Sequence, residues 1–278
     1  MRKYPVIQSR LLTAENLDAL HPFRPKRLNA QAALLEKEDP SLPQALEQFA
    51  LDFAYIPFDQ ALQNIGLVAM DMDSTLITIE CIDEIADFCG LKDQVAAITQ
   101  KSMAGEIDFT QSLKERVALL KGLHLNTLEE VYAKRLALSP GAERLIKELK
   151  KHGIKTMLVS GGFTFFTERI QKRLKLDYAF ANTLEVKNGV LTGNILGEIV
   201  DAHKKAFYLE YVRKKENLLP HETVAIGDGA NDLLMLEKAG ISIAYHAKAI
   251  VQQKAHYRLN HAGLDGVLNL FSDFLGLV

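Results

Sequence analysis

The chain has 278 residues, of which 48% are hydrophobic and 24% charged, a balance typical of a globular protein with a sizeable core. Its net charge of −2 argues against nucleic acid as a partner, and no apolar run reaches the roughly 20 residues that span a bilayer. No apolar signal segment follows the N-terminus, so we expect a cytoplasmic protein with neither a nucleic-acid nor a membrane partner.

Residues 1–62 differ from the rest of the chain because prolines are frequent and β-branched runs are few. The helical spacing of Leu46, Phe49 and Phe53 predicts a helix over residues 44–54. The segment carries no recognisable chemistry. We therefore predict an appendage of short helices and loops, whose overall fold the sequence leaves uncertain.

The first strong signal is the apolar run 67–70, which predicts a short buried strand and leads directly into Asp71-Met72-Asp73-Ser74-Thr75. Side chains alternate along an extended chain, so Asp71 and Asp73 are expected on one face where the strand ends. Two carboxylates placed together suit a cation site or acid–base chemistry. Taken alone, such a pair is more often part of a turn or a helix cap.

A helix-rich stretch follows to about residue 150, with apolar residues such as Ile82, Ile85 and Cys89 at helical spacing. The two cysteines, Cys81 and Cys89, are too far apart along one predicted helix to form a disulfide. Their predicted role is core packing in a reducing compartment.

Further apolar strands are predicted at residues 154–160, 178–182, 223–228 and 241–245, with helices between them. An Asn188-Gly189 turn between alternating runs predicts a hairpin. Apolar strands that alternate with helices indicate an α/β fold, with a parallel sheet covered on both faces.

Three of these strands end in polar or glycine-rich segments: Asp71 and Asp73, then Ser160-Gly161-Gly162, then Gly227-Asp228-Gly229. The carboxyl ends of parallel strands share one edge of the sheet, where ligands bind. Asp71 and Asp228 together suit Mg²⁺, and the serine–glycine turn suits an anion. Each segment alone also fits an ordinary strand-to-helix turn, and the pair Lys204-Lys205 fits either a phosphate contact or a solvated surface.

Taken together, these motifs resemble those of one known superfamily. Asp71-x-Asp73-Ser74-Thr75, Ser160-Gly161, Lys205 and the segment 227–232 (GDGAND) together resemble the haloacid dehalogenase (HAD) superfamily of phosphatases. Segments 70–86, 105–122 and 159–166 resemble its phosphoserine phosphatases. The resemblance covers about residues 65–270. It implies a Rossmann-like HAD core over residues 63–278, a helical-bundle cap inserted at about 78–140, and Mg²⁺ as cofactor.

The resemblance also implies roles for individual residues. Asp71 corresponds to the nucleophile and Asp73 to the general acid and base. The metal ligands are the side chains of Asp71 and Asp228 with the backbone carbonyl of Asp73. The implied phosphate contacts are Ser160, Gly161, Lys205 and Asn231, and Asp232 would orient Lys205 or metal-bound water.

The cap is expected to select the substrate. By resemblance, Glu80 binds the ammonium group of phosphoserine and Arg116 binds its carboxylate, although without the resemblance both would be taken as surface charges. Met103 and Phe109 fit an apolar wall or a core role. The expected activity is hydrolysis of O-phospho-L-serine. The alternatives are a related phosphatase or phosphotransferase acting on another small phosphomonoester, and a catalytically silent binding protein.

Overall fold

A computed structural model of the chain describes residues 3–37 and 41–277. These residues form two β-sheets with helices packed on them. No helix in the described part of the chain is both long and apolar enough to cross a membrane.

The N-terminal segment forms a small antiparallel sheet. Its strands are β1 (Lys3–Gln8), β2 (Pro25–Arg27), β3 (Ala32–Leu35) and β4 (Asp52–Pro57), in the order β2-β3-β1-β4, and its helices are α1 (Ala14–Ala19) and α2 (Leu42–Gln48). The prediction of short helices and loops for residues 1–62 was therefore wrong. The prediction failed because prolines were taken to exclude strands. Pro5 lies where β1 pairs only with β4, so its missing N–H removes no hydrogen bond to β3.

The helix predicted over residues 44–54 was also too long. The helix α2 ends at Gln48, and Ala50 adopts a left-handed backbone (φ +51°) that turns the chain. Phe53 lies in β4, paired with Ile7 of β1. The apolar spacing that suggested a helix instead serves two separate elements.

The larger sheet has seven strands and confirms the predicted α/β class. They are β5 (Leu67–Met70), β6 (Lys155–Phe163), β7 (Tyr178–Lys187), β8 (Val190–Leu196), β9 (Thr223–Gly227), β10 (Ile241–Tyr245) and β11 (Tyr257–Leu259), in the order β11-β10-β9-β5-β6-β7-β8. Every neighbouring pair is parallel except β7–β8, the predicted hairpin. The strand β5 is central, and all four of its residues are buried.

Four helices leave the sheet after β5: α3 (Cys81–Phe88), α4 (Lys92–Met103), α5 (Phe109–Ala118) and α6 (Leu125–Lys134). A β-bridge between Ile77 and Leu138 joins the two ends of this excursion, so the helices form an insertion over the carboxyl edge of the sheet. The remaining helices are α7 (Ala142–Lys151), α8 (Thr164–Leu174), α9 (Ala202–Lys215), α10 (Leu233–Lys238) and α11 (Ala249–Lys254). Both cysteines are free, as predicted.

The small sheet is fixed to the larger one through Asp52 at the start of β4. Its carboxylate accepts hydrogen bonds from the backbone N–H groups of Asn260 (2.7 Å), His261 (3.0 Å) and Ala262 (2.8 Å), just after β11. Asp52 is itself buried, so these charge-assisted bonds are shielded from water.

Candidate active site

Asp71 and Asp73 lie where β5 ends, between its neighbours β6 and β9. The Asp71 Oδ1 atom accepts a hydrogen bond from the N–H of Met72 (2.7 Å). The Asp73 Oδ1 atom accepts from the N–H of Cys81 (2.9 Å), and its Oδ2 atom accepts from the hydroxyl of Ser160 (3.3 Å). The two acids therefore share one edge of the sheet but have different surroundings.

Lys205 is the buried cation of this edge. Its Nζ atom lies 2.7 Å from Asp71 Oδ1 and 2.7 Å from Asp232 Oδ1, and its side chain is fully buried. Burial alone would lower the pKa of Lys205, but the two carboxylates outweigh it and raise the pKa, so the ammonium stays charged. Asp232 also accepts from the N–H groups of Asp228 (3.1 Å) and Gly229 (3.0 Å), which ties Lys205 to this loop.

Asp71, Asp228 and Asp232 form an acidic cluster in which one oxygen from each lies within 4.8 Å of the others. Burial, then the Asp232 charge, raises the pKa of Asp71 well above its ordinary value and that of Asp228 to about 6. The hydroxyl of Thr75 donates a hydrogen bond to Asp228 Oδ1 (3.1 Å). Crowded carboxylate oxygens are the donor set of a hard divalent cation such as Mg²⁺, so the residues present fit the expected metal.

The side chain of Asp73 is not part of this cluster, because it is occupied by Cys81 and Ser160. Burial is the main cause that raises the pKa of its carboxyl group, while those hydrogen bonds oppose the rise. Its contact with a metal through the backbone carbonyl stays a prediction.

The turn after β6 is held by a residue that the sequence analysis missed. Asn182 on β7 donates from Nδ2 to the carbonyls of Gly161 (2.8 Å) and Gly162 (3.2 Å) and accepts at Oδ1 from the N–H of Val200 (2.8 Å). The Ser160 hydroxyl accepts from the N–H of Gly162 (2.8 Å). The signal that could have found it is its position. Asn182 is the last residue of the strand predicted at 178–182, and so lies at the same edge of the sheet as the other strand ends.

The cap helix α5 lies directly over this turn. A Cβ on Gly161 would come within 2.9 Å of the ring of Phe109, so only glycine allows this close approach. Phe109 thus supplies an apolar wall, whereas the side chain of Met103 is 74% exposed.

Glu80 and Arg116 are the charged residues that the cap contributes. The exposed Glu80 side chain accepts a hydrogen bond from the hydroxyl of Ser74 (2.7 Å), and partial desolvation, then the Asp73 charge, raises its pKa to about 7. Arg116 is half-buried on α5 and donates from Nε to the carbonyl of Ser112 (3.3 Å). Burial lowers the pKa of Arg116, but Asp83, Glu80 and Asp73 lie close enough to oppose that effect.

Asn231 lies in the loop between Asp228 and Asp232, where its side chain fills the space beside Gly229. The structure therefore gathers the predicted site residues around one edge of the sheet: Asp71, Asp73, Glu80, Arg116, Ser160, Gly161, Lys205, Asp228, Asn231 and Asp232.

Comparison with known proteins identifies the family. Residues 65–240 match the model of the haloacid dehalogenase-like hydrolases. This chain belongs to the haloacid dehalogenase-like hydrolases. A phosphoserine phosphatase from Polaromonas sp. is 49% identical over 217 residues, which cover 76% of this chain and 92% of that protein.

Solved structures agree with this assignment. A HAD family hydrolase from Salmonella enterica serovar Typhi superposes with a TM-score of 0.86 at 36% identity, covering 98% of this hydrolase and 99% of that chain. A phospho-aspartyl intermediate analogue of a phosphoserine phosphatase superposes with a TM-score of 0.69 at 44% identity, covering 74% of this hydrolase and 98% of that chain. The resemblance to phosphoserine phosphatases is confirmed.

Proposed function

We propose that this hydrolase converts O-phospho-L-serine and water to L-serine and phosphate, the last step of serine biosynthesis. The observation that carries the proposal is the pairing of two differently held acids, Asp71 and Asp73, beside a buried Lys205. Glu80 and Arg116 of the cap support it, because both lie close enough to Asp73 to be affected by its charge. A phosphomonoester with a zwitterionic amino-acid group complements both halves of this site.

Asp71 is the nucleophile of the proposed reaction. Its Oδ1 atom is held by the Met72 N–H and by Lys205, and no described hydrogen bond reaches Oδ2. Attack of Oδ2 on phosphorus forms the aspartyl phosphate and breaks the bond between phosphorus and the serine oxygen. The leaving alkoxide takes a proton from the Asp73 carboxyl group. General acid catalysis of this kind typically accelerates a reaction by about 10²–10⁴-fold.

Hydrolysis of the aspartyl phosphate uses the same two residues. Asp73, now ionised, takes a proton from water while the water oxygen attacks phosphorus. The bond between phosphorus and Asp71 breaks, and both acids return to their starting states. The raised pKa of Asp73 suits this exchange, because it lets the carboxyl group hold a proton before the first step.

The phosphate is held in line with Asp71 by four groups: the Ser160 hydroxyl, the Gly161 amide, the Lys205 ammonium and the Asn231 side chain. The side chains of Asp71 and Asp228 and the Asp73 carbonyl are the proposed ligands of Mg²⁺. When bound, the ion supplies positive charge to the phosphoryl oxygens. Asp232 positions Lys205, as their 2.7 Å contact supports.

The proposal is tested by measuring phosphate release from O-phospho-L-serine with Mg²⁺ and with EDTA. We expect Mg²⁺-dependent turnover, and a loss of roughly 10³-fold or more in Asp71→Asn, which keeps the shape of the side chain but not its nucleophilic oxygen pair. Asp93→Asn on the exposed surface of α4 is the matched control and should retain full rate. Full activity in Asp71→Asn, or release from p-nitrophenyl phosphate but not from phosphoserine, would overturn the proposal.

A further inference from the structure

A second polar cavity lies away from the acidic cluster, where the small sheet meets the larger one. Its volume is about 470 Å³. The polar residues that line it are Ser9, Arg10 and Asn16 from the N-terminal segment and His246, Asn260 and His261 from the core. None of them belongs to the proposed active site.

Basic side chains converge on this cavity from three strand ends. Arg10 follows β1, His246 follows β10 and His261 follows β11. Arg10 forms no ion pair in the part of the chain that the structure describes. Partial burial lowers the pKa of His246, a hydrogen bond to the backbone of Ala262 opposes this, and the charges of Arg10 and His261 lower it further. Arg10 and His261 therefore lie close enough to His246 to disfavour its protonated form, which a bound anion would favour.

The charge of Asp52 opposes this lowering of the His246 pKa, but the oxygens of Asp52 already accept three backbone hydrogen bonds from residues 260–262. Its charge is used mainly to hold that loop in place. A negatively charged group in the cavity would face the three basic side chains directly.

Two lining residues, Ala50 from the N-terminal segment and His246 from the core, adopt left-handed backbones (φ +51° and +46°). The cavity is therefore bordered on both sides by backbone in a sparsely populated conformation.

We propose that this cavity binds a small oxyanion, either a phosphate or a carboxylate group. The Arg10 guanidinium pairs with the charge, and ring N–H groups of His246 and His261 donate hydrogen bonds to the oxyanion. The site shares no residue with the proposed catalytic loop and is linked to it through the backbone. Lys248, two residues after His246, donates from its backbone N–H to the carbonyl of Asp228 (3.0 Å).

Nuclear magnetic resonance of the histidine rings tests the proposal at the cavity itself, independently of any phosphate bound at the acidic cluster. The signals of His246 and His261 are assigned with His246→Gln and His261→Gln, and inorganic phosphate and acetate are titrated separately. We expect both signals to shift along one saturable curve with at least one of the two anions. Saturation by phosphate alone identifies a phosphate site, and saturation by acetate identifies a carboxylate site.

Variants decide whether the shift reports the proposed contacts. Arg10→Ala should weaken the binding at least about tenfold, because it removes the principal charge-assisted contact. Arg173→Ala, an exposed arginine on α8, should leave the binding unchanged.

Two results would overturn the proposal. One is a linear, unsaturated shift that matches the signal of His152 at the exposed end of α7, since that would be a bulk salt effect. The other is an identical binding curve in Arg10→Ala and the unaltered protein, provided that their unfolding temperatures agree.

Discussion

Glu80 and Arg116 remain available to a substrate because neither forms an ion pair within the described part of the chain. Each lies close enough to Asp73 to be affected by its charge. A guanidinium binds a carboxylate through paired hydrogen bonds, and a carboxylate binds an ammonium. The two residues therefore fit the opposite charges of an amino-acid group.

Replacing Arg116 with alanine is expected to raise the KM for phosphoserine about 10- to 100-fold. A lost charge-assisted hydrogen bond costs about 1.5–3 kcal/mol, and 1.4 kcal/mol corresponds to a factor of ten. The KM for p-nitrophenyl phosphate, which has no carboxylate, should change less than about twofold. Steady-state kinetics with both substrates measure the difference.

The matched control for Arg116 is Arg135→Ala at the end of α6. Arg135 also belongs to the cap but contacts Glu84 and Asp87 on its surface. It should leave both KM values unchanged. If Arg116→Ala weakened the two substrates equally, the residue would act on the phosphate or on the fold of the cap, and its carboxylate role would be rejected.

At the scale of secondary-structure elements, the ends of three parallel strands build the site. The strands β5, β6 and β9 could be predicted because each contains a short apolar run that is buried on both faces of the sheet. Their carboxyl ends then lie at one edge by topology alone, so Asp71, Ser160 and Asp228 could be grouped before any distance was known.

Elements without that pattern could not be predicted. The strand β2 has three residues and no buried one, and β1 begins with an exposed lysine and contains Pro5, so neither shows an apolar run. Asn182 was missed for a related reason. Its function depends on which carbonyls lie beside it in a bulged region between β6 and β7, and sequence spacing does not reveal that contact.

Asn182→Ala should lower kcat about 10- to 100-fold for phosphoserine and for p-nitrophenyl phosphate alike. The substitution frees the carbonyls of Gly161 and Gly162, so the Gly161 amide, which we propose binds the phosphate, loses its fixed orientation. Displacements of about 1 Å in such sites cost on the order of 10²-fold in rate. Equal loss with both substrates is expected because the phosphate end is common to them.

Asn194→Ala provides the matched control for this prediction, since Asn194 is exposed on β8 and its side chain donates a hydrogen bond to Glu185 (2.9 Å). Thermal unfolding must show that Asn182→Ala is still folded at the assay temperature, because it leaves a buried N–H of Val200 without its acceptor. A folded variant with unchanged kcat would show that Asn182 serves stability alone.

On the scale of the whole molecule, the fold holds more negative than positive charge at this edge. Five acids, Asp71, Asp73, Glu80, Asp228 and Asp232, lie with two cations, Lys205 and Arg116. Asp228 shows the consequence most clearly, because burial and then Asp232 raise its pKa to about 6 from an ordinary 3.8. Between these two pH values the folded protein binds more protons than the unfolded chain, so without metal its stability falls as pH rises through this window.

Mg²⁺ should reverse this trend, because it binds the ionised carboxylates and only in the folded state. At a concentration one hundred times its Kd, a ligand adds about 2.7 kcal/mol, which corresponds to a rise in Tm of about 5–10 °C for a chain of this size. We expect that rise at about pH 7.5 and a much smaller one at about pH 5, where Asp228 is largely protonated. Thermal unfolding with Mg²⁺ and with EDTA at both pH values measures it.

Asp228→Asn separates metal binding from a general salt effect. The amide cannot supply the ionised ligand, so the pH-dependent gain from Mg²⁺ should vanish, while the protein without metal should become less sensitive to pH between about 4 and 6. The exposed Asp93→Asn should behave like the unaltered protein. An equal rise in Tm at both pH values, or a rise that survives in Asp228→Asn, would mean that Mg²⁺ binds elsewhere and that the acidic cluster stabilises the fold by other means.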